Sequence, residues 1–71
     1  MTYTVVLEKG DSSYGAFVPD LPGCVAAGKT RQETVQLIKE AIEFHIEGLK
    51  ADKQEIPPPQ CNVARVEVNV A

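Results

Sequence analysis

One long amphipathic segment, residues 31–51, sets the strongest limit on how this chain can fold. Thr30 immediately precedes the segment and Glu33 lies in its first turn, which gives the T-x-x-E pattern of a capping box. In a capping box the two side chains satisfy backbone amides that a helix start leaves unpaired. Arranged on a helix, its polar residues fall within one arc and its apolar residues occupy the opposite side. Three consecutive prolines at 57–59 then impose an extended connector. The sequence therefore predicts a single helix from about Arg31 to about Ala51.

Short alternating segments before and after the helix predict strands. Residues 3–8 and 14–18 alternate in this way, and the turn-forming residues 10–13 between them indicate a hairpin. Leu21-Pro22-Gly23-Cys24 suits a type II turn, with proline second and glycine third, and it leads into a short third strand over residues 24–27. Residues 63–70 place Ala64, Val66, Val68 and Val70 on one face, which predicts a final strand with one buried side.

These elements define an α+β fold of order βββαβ, and residues 1–71 form a single domain. The first three strands should be antiparallel neighbours with the second in the centre. The last strand, reached through the helix, is expected beside the first and parallel to it, through a right-handed crossover. One helix then packs on one face of the sheet.

Charge and composition restrict the partners of the chain. Seven basic residues against ten acidic ones give a net charge of −3, and the basic residues are scattered along the chain. Nucleic-acid binding depends on clustered Lys and Arg, so we expect no direct DNA or RNA binding. A basic protein partner fits better. No apolar run approaches the roughly 18 residues that span a bilayer, and no export signal precedes the first strand, which predicts a cytoplasmic protein with two free cysteines.

The apolar side of the helix is wider than a single sheet contact requires. It covers about twice the roughly 100° stripe of a helix lying on a sheet. The surplus falls on Leu37, Ala41, Phe44 and Gly48. These residues either fill the edge of the core or form a subunit contact in a dimer or tetramer. Gly48 supports the second alternative, because a glycine inside a helix costs about 1 kcal/mol relative to alanine and calls for a packing reason.

Few residues are candidates for chemistry. His45 lies within the apolar arc without a neighbouring nucleophile or acid, which favours a hydrogen-bonded core residue over a catalyst. Glu8, Asp11, Asp20 and Glu67 lie on or beside strands, and a clustered set could hold Mg²⁺; a metal-dependent nuclease would use Glu8, Asp20 and Glu67. The sequence favours the simpler interpretation that these acids are solvent-exposed residues at strand ends without a metal. Cys24 has no nearby group that would lower its thiol pKa. The sequence predicts no enzyme, metal or cofactor.

Several segments resemble one known family. Residues 14–24 read YGAFVPDLPGC and match its signature, aromatic-x-A-x-V-P-D-L-P-G-C. Residues 28–33 match the following G-x-T-x-x-E, and residues 40–42 match the E-A-I of its helix. The proline-rich exit at 56–59 is also similar. The chain resembles the HicB-like antitoxins over nearly its whole length.

The resemblance implies a partial RNase H-like βββαβ fold without nuclease activity. It also implies a partner, a small basic mRNA-cleaving toxin of the HicA type, whose active face the antitoxin covers. Many family members carry a C-terminal DNA-binding domain, and this sequence predicts none after its last strand. The expected partner-binding residues are Asp20, Leu21, Pro22, Gly23 and Cys24, unless the turn alone requires them. The remaining alternatives are an orphan homo-oligomeric interaction domain and the metal-dependent nuclease.

Overall fold

The computed structural model describes residues 1–70, and Ala71 lies outside the described part of the chain. Its regular elements are β1 (Val6–Lys9), β2 (Tyr14–Phe17), β3 (Val25–Gly28) and α1 (Arg31–Ala51). The α+β class is confirmed, and the helix has the bounds that its amphipathic pattern predicts.

The three strands form an antiparallel sheet in the order β1-β2-β3. β1 and β2 pair from Val6 opposite Phe17 to Lys9 opposite Tyr14. The turn between them is closed by a hydrogen bond from the Gly10 amide to the Ser13 carbonyl, 2.8 Å long. The predicted hairpin and the central position of the second strand are therefore both confirmed.

The strand bounds differ slightly from the predicted ones. Regular pairing of β1 begins at Val6, although Tyr3 and Val5 are already partly buried and pack against the core. β3 begins at Val25 and not at Cys24, because the Cys24 amide donates to the Leu21 carbonyl, 3.0 Å away, inside the preceding turn. Cys24, which the alternating pattern assigns to the strand, is therefore the last residue of the turn.

The start of α1 is a capping box. The Glu33 amide donates to Thr30 Oγ1 at 3.0 Å, and Glu33 Oε1 accepts from the amide of Lys29 at 3.1 Å. The carboxylate thus reaches one residue beyond the N-cap. The bond to Thr30 satisfies a donor that the first helical turn leaves free, and the Glu33 carboxylate satisfies the Lys29 amide just before the helix. The negative charge of Glu33 also complements the helix dipole.

The helix ends before the prolines, by a local hydrogen-bond pattern. The amides of Lys53 and Gln54 donate to the carbonyls of Lys50 and Leu49, at 3.0 and 2.8 Å. This is a Schellman motif, and Lys53 takes the left-handed conformation it requires, with φ 57°. The prolines therefore keep the following chain extended but do not terminate the helix.

The core lies between α1 and the β2–β3 half of the sheet. Its buried apolar residues are Ala16, Val18, Leu21, Cys24 and Ile38. Thr34 is also fully buried, and its hydroxyl donates to the Thr30 carbonyl at 2.8 Å. The helix thus packs on one face of the sheet, as predicted, and approaches β3 and β2 more closely than β1.

The predicted fourth strand is absent from the described chain. Residues 63–70, which we call the C-terminal arm, form no strand and no buried face: Val66 and Val68 are 78% and 71% exposed. The molecule measures 53 × 27 × 17 Å, and its radius of gyration of 14.4 Å exceeds the roughly 11 Å of a compact chain of this length. The structure therefore does not show the predicted fourth strand: residues 63–70 extend away from the sheet and pair with no other strand of residues 1–70.

Gly28 gives a test of the contact between helix and sheet. A Cβ at this position would lie 2.7 Å from Thr34 Oγ1 and 3.0 Å from Glu33 Oε1. Because Thr34 is fully buried and cannot move aside, we expect Gly28→Ala to lower the free energy of unfolding by about 1–3 kcal/mol. Urea denaturation measures the change. Gly15→Ala is the matched control, since nothing lies within 4 Å of its new Cβ; equal losses in both variants would contradict the steric explanation.

Candidate protein-binding site

The loop between β2 and β3 consists of two successive turns. The Leu21 amide donates to the Val18 carbonyl at 3.1 Å, and the Cys24 amide donates to the Leu21 carbonyl at 3.0 Å. Gly23 has a φ of 85°, the value that the third position of a type II turn requires. The predicted Leu21–Cys24 turn is confirmed, and its glycine is needed for backbone conformation.

The structure divides the five predicted partner-binding residues into three groups. Leu21 and Cys24 are 0% and 4% exposed and belong to the core. Pro22 and Gly23 are exposed at the tip of the turn. Asp20 is half-buried, and its carboxylate accepts hydrogen bonds from the segment that follows the prolines. Only the tip is therefore freely accessible to a partner.

Asp20 fastens the chain segment that follows the prolines. Its Oδ2 accepts hydrogen bonds from the amides of Gln60 and Cys61, at 3.0 and 2.9 Å. The N-terminal segment holds the same stretch from another side: the Thr4 hydroxyl donates to the Cys61 carbonyl at 3.0 Å, and the Tyr3 hydroxyl donates to the Pro57 carbonyl. The acidic residue of the P-D-L-P-G-C signature thus acts as a clamp on the connector.

An apolar groove joins the turn to the helix. We call it the β3 groove. It is lined by Gly23, Cys24, Val25, Ala41, Phe44, His45, Gly48 and Leu49. Val25 and Phe44 are 64% and 79% exposed, and so they form the accessible apolar surface of this groove. It brings together part of the predicted partner-binding turn and three of the four predicted oligomer residues. The fourth, Leu37, is exposed on the same helix but does not line the groove.

Three lining residues, Val25, His45 and Leu49, were not predicted as site residues from the sequence. Val25 follows the turn in an alternating strand, where a valine indicates burial, yet it lies at the free edge of the sheet. His45 was assigned to the core, but it is half-buried at the groove. The position of Val25 after the signature was the available signal, because a strand that follows an exposed turn can present one face to solvent.

Acidic side chains border the groove. Glu40 and Glu47 lie one helical turn before and after Phe44, and both are exposed. Gln36 Nε2 donates to Glu40 Oε2 at 2.9 Å, which orients that carboxylate along the helix surface. An exposed aromatic ring between two carboxylates suits a partner with apolar and basic groups.

A second apolar groove lies on the opposite flank of the helix. We call it the β1 groove. Tyr3, Val5 and Leu7 form one of its sides. The helix contributes the apolar residues Val35, Ile38, Ile42 and Ile46 to the other side, and the charged residues Arg31, Lys39 and Glu43 also line the groove. The sequence did not indicate this groove, because it exists only where the helix lies closer to β2 and β3 than to β1.

The candidate chemical residues do not form a site. Among residues 1–70, no group of three or more His, Cys, Asp or Glu side chains is placed to hold a metal ion. Glu8 is exposed on β1, Asp20 is bound to backbone amides, and Glu67 lies in the C-terminal arm. Burial raises the pKa of the Cys24 thiol, which keeps it protonated and unreactive. No helix in the described chain is long and apolar enough to cross a membrane.

The fold is that of a small α+β domain with one helix on a three-stranded sheet, and residues 1–70 contain no cluster of side chains placed to hold a metal ion. Residues 3–70 match the family model described as HicB-like antitoxin of bacterial toxin–antitoxin systems. This match covers nearly the whole chain, and the protein therefore belongs to the HicB-like antitoxin family.

The chain is also similar to individual proteins, among them one named Antitoxin HicB 2. A UPF0150 protein of Synechocystis is 52% identical over 56 residues, 78% of this chain and 71% of the relative. An uncharacterized 14.9 kDa protein of Haemophilus phage HP1 is 47% identical over 80% of this chain, and Antitoxin HicB 2 of Photorhabdus laumondii is 29% identical over 83%. The chain spans only 43% of the phage protein and 42% of Antitoxin HicB 2.

Removing the Asp20 clamp should loosen the connector. Asp20→Ala deletes the acceptor of two amides, and we expect the free energy of unfolding to fall by about 1–3 kcal/mol. Limited proteolysis should also cut residues 57–61 faster than in the parent chain. Asp11→Ala, in the exposed β1–β2 turn, removes the same charge without a long-range bond and serves as the control. Unchanged stability and cleavage in Asp20→Ala would refute the clamp.

Proposed function

We propose that this protein is an antitoxin that neutralises a small basic mRNA-cleaving toxin of the HicA type by covering its active face. The β3 groove carries the proposal, because it joins the exposed tip of the signature turn to an exposed phenylalanine. Membership of the antitoxin family supports a regulatory and non-enzymatic role. The toxin type, the contacting surface and a cytoplasmic location are parts of the proposal.

Inhibition by occlusion needs surface complementarity and no catalytic group. A bound toxin would bury the ring of Phe44, and buried aromatic side chains at the centre of an interface carry much of the binding energy. Val25 and the turn tip would contact the same partner from the sheet side. Glu40 and Glu47 would meet basic groups that the toxin uses to hold RNA. The net charge of −3 would speed the encounter with such a protein.

The position of the C-terminal arm in the complete fold is also a proposal. The family resemblance implies a partial RNase H-like fold with a fourth strand, which residues 1–70 of the single chain do not form. We infer that the βββα portion is one stable unit and that the arm completes the sheet only on association. A role as a metal-dependent nuclease has no group of ligands to support it in the described chain.

Phe44→Glu tests the toxin-binding surface. The side chain is 79% exposed, so the variant should keep the helical circular dichroism and the urea midpoint of the parent chain. Binding should weaken at least about ten-fold, equivalent to about 1.4 kcal/mol, because a charge replaces a buried aromatic anchor. The measurement is co-purification with a co-expressed basic toxin of the HicA type, together with rescue of growth when that toxin is expressed.

Gln32→Glu is the matched control for this experiment. It adds the same charge on the helix surface away from Phe44, at an exposed position in the first turn. It should bind the toxin and rescue growth like the parent chain. Retained rescue by Phe44→Glu would exclude the β3 groove as the toxin site. Failure of the parent chain itself to bind or rescue would exclude the antitoxin role.

The second candidate is an orphan homo-oligomeric domain, which the exposed residues Leu37, Phe44 and Gly48 favour. In that case Phe44→Glu changes the elution volume of the chain alone in gel filtration. An unchanged elution volume together with lost toxin binding supports the antitoxin instead.

Replacing Gly48 tests whether the fold of the chain or an interface with a partner requires a glycine at this position. Nothing lies within 4 Å of a Cβ built at this position, so the isolated fold does not require a glycine there. We expect Gly48→Ala to raise the free energy of unfolding by about 1 kcal/mol, the helix-propensity difference between the two residues. If a partner backbone packs closely at Gly48, toxin binding weakens at the same time. Isothermal titration calorimetry and urea denaturation measure the two effects; destabilisation of the chain alone would contradict the geometry.

A further inference from the structure

The chain contains an open sheet edge and a strand-like segment that has no partner. β1 pairs with β2, and within residues 1–70 no strand pairs with its other edge. The C-terminal arm alternates valines and polar residues in the pattern of a half-buried strand, yet its side chains are exposed throughout residues 63–70. An open edge and an exposed apolar strand both favour pairing with another strand. In the isolated chain, therefore, both features are incomplete.

The β1 groove lies where a strand added to β1 would place its side chains. Val5 and Leu7 on the sheet side face Val35 and Ile42 on the helix across this groove. Alternate residues of an added strand point to the same face, so one set would cover the groove and the other would face solvent. In the arm, Ala64, Val66, Val68 and Val70 form the first set. Their spacing and their apolar character match the apolar part of the groove, which the charged residues Arg31, Lys39 and Glu43 also line.

The arm also has the length of the edge it would cover. Eight residues of extended chain span about 26 Å, and the extended N-terminal segment with β1, residues 3–9, spans about 23 Å. The β1 edge continues through Tyr3 and Val5, which pack against the core although they are not part of the regular strand.

The connector directs the arm away from the groove of its own chain. Asp20 binds the amides of Gln60 and Cys61, and Thr4 binds the Cys61 carbonyl. After this attachment the chain is exposed at every residue from Asn62 to Val70. The 53 Å length of the molecule reflects this projecting arm.

We propose that two copies of this chain exchange their C-terminal arms. Each arm pairs with β1 of the other copy and covers its β1 groove, which gives each sheet a fourth strand. The exchange is reciprocal and therefore closes as a two-fold dimer without leaving an open edge for further growth at β1. The β3 groove lies on the other flank of the helix and stays free for a different partner.

Size-exclusion chromatography with light scattering tests the exchange on the full chain. The parent chain should have the mass of a dimer at micromolar concentration. Val66→Asp combined with Val68→Asp should halve that mass, because it puts charges on the face that enters the groove. Both valines are exposed in the single chain, so its helical circular dichroism should not change. Asn69→Asp adds charge on the opposite face of the same arm and should remain a dimer. A monomeric parent chain, or a dimeric double variant, overturns the proposal.

Disulfide trapping identifies which strand covers the groove. Two chains are prepared with Cys61→Ser, one with Val35→Cys in the groove and the other with Val66→Cys in the arm. Oxidation of the mixture should give a covalent dimer that contains one copy of each chain. A dimer that forms from the Val66→Cys chain alone indicates pairing between two arms and overturns the exchange. When one chain carries both cysteines, a bond within that chain indicates that the arm folds back, which also overturns it.

These outcomes are separate from those of the antitoxin proposal. Phe44→Glu should leave the dimer mass unchanged, and the double variant in the arm should leave the β3 groove intact. If the parent chain binds and neutralises its toxin as a monomer, the antitoxin role stands and the arm exchange fails. If the parent chain is a dimer but binds no toxin, the arm exchange stands and the antitoxin role fails.

Discussion

The rest of the structure depends on how one helix covers a three-stranded sheet. A helix with its side chains is about 10–12 Å wide, and neighbouring strands are about 4.8 Å apart. α1 packs closest to β3 and β2, where Ile38 is buried in one cluster with the turn residue Leu21 and Thr34 lies against Gly28. A helix in this position leaves an uncovered apolar strip along each flank. The β3 groove and the β1 groove are these two strips, and both follow from the apolar arc of the helix being wider than its contact with the sheet.

The P-D-L-P-G-C signature links this packing to the course of the chain. Leu21 and Cys24 enter the core, Pro22 and Gly23 form the tip of the turn, and Asp20 binds the amides of Gln60 and Cys61. One short motif therefore closes the β2–β3 loop, contributes to the core and determines where the C-terminal arm leaves the body. Its specificity as a family signature is understandable from these structural roles alone. Contact with a partner would add to them through the exposed tip.

Two surfaces on opposite flanks of the helix can serve two different purposes. The β3 groove has an exposed aromatic residue and acidic neighbours, which suits a basic protein. The β1 groove has a mainly apolar lining beside an open strand edge, which suits an added strand. A small domain gains stability when it associates, because a chain of this size buries only about 60% of its unfolded surface by itself. In the proposed arrangement the arm exchange stabilises the antitoxin and leaves its toxin-binding surface free.

The sequence alone determined the local structure of this protein. The helix from Arg31 to Ala51, its capping box, the β1–β2 hairpin and the type II turn at Leu21–Cys24 all depend on contacts within a few residues, and each agrees with its pattern. The signature residues also indicated the family. The tertiary structure decided the features that depend on contacts between residues far apart in the chain. The clamp joins Asp20 to residues 40 and 41 positions away, and the turn tip meets Phe44 only because the helix packs beside β3. Alternation at 63–70 predicts a strand, but a strand exists only where another backbone pairs with it, and local sequence does not specify that partner.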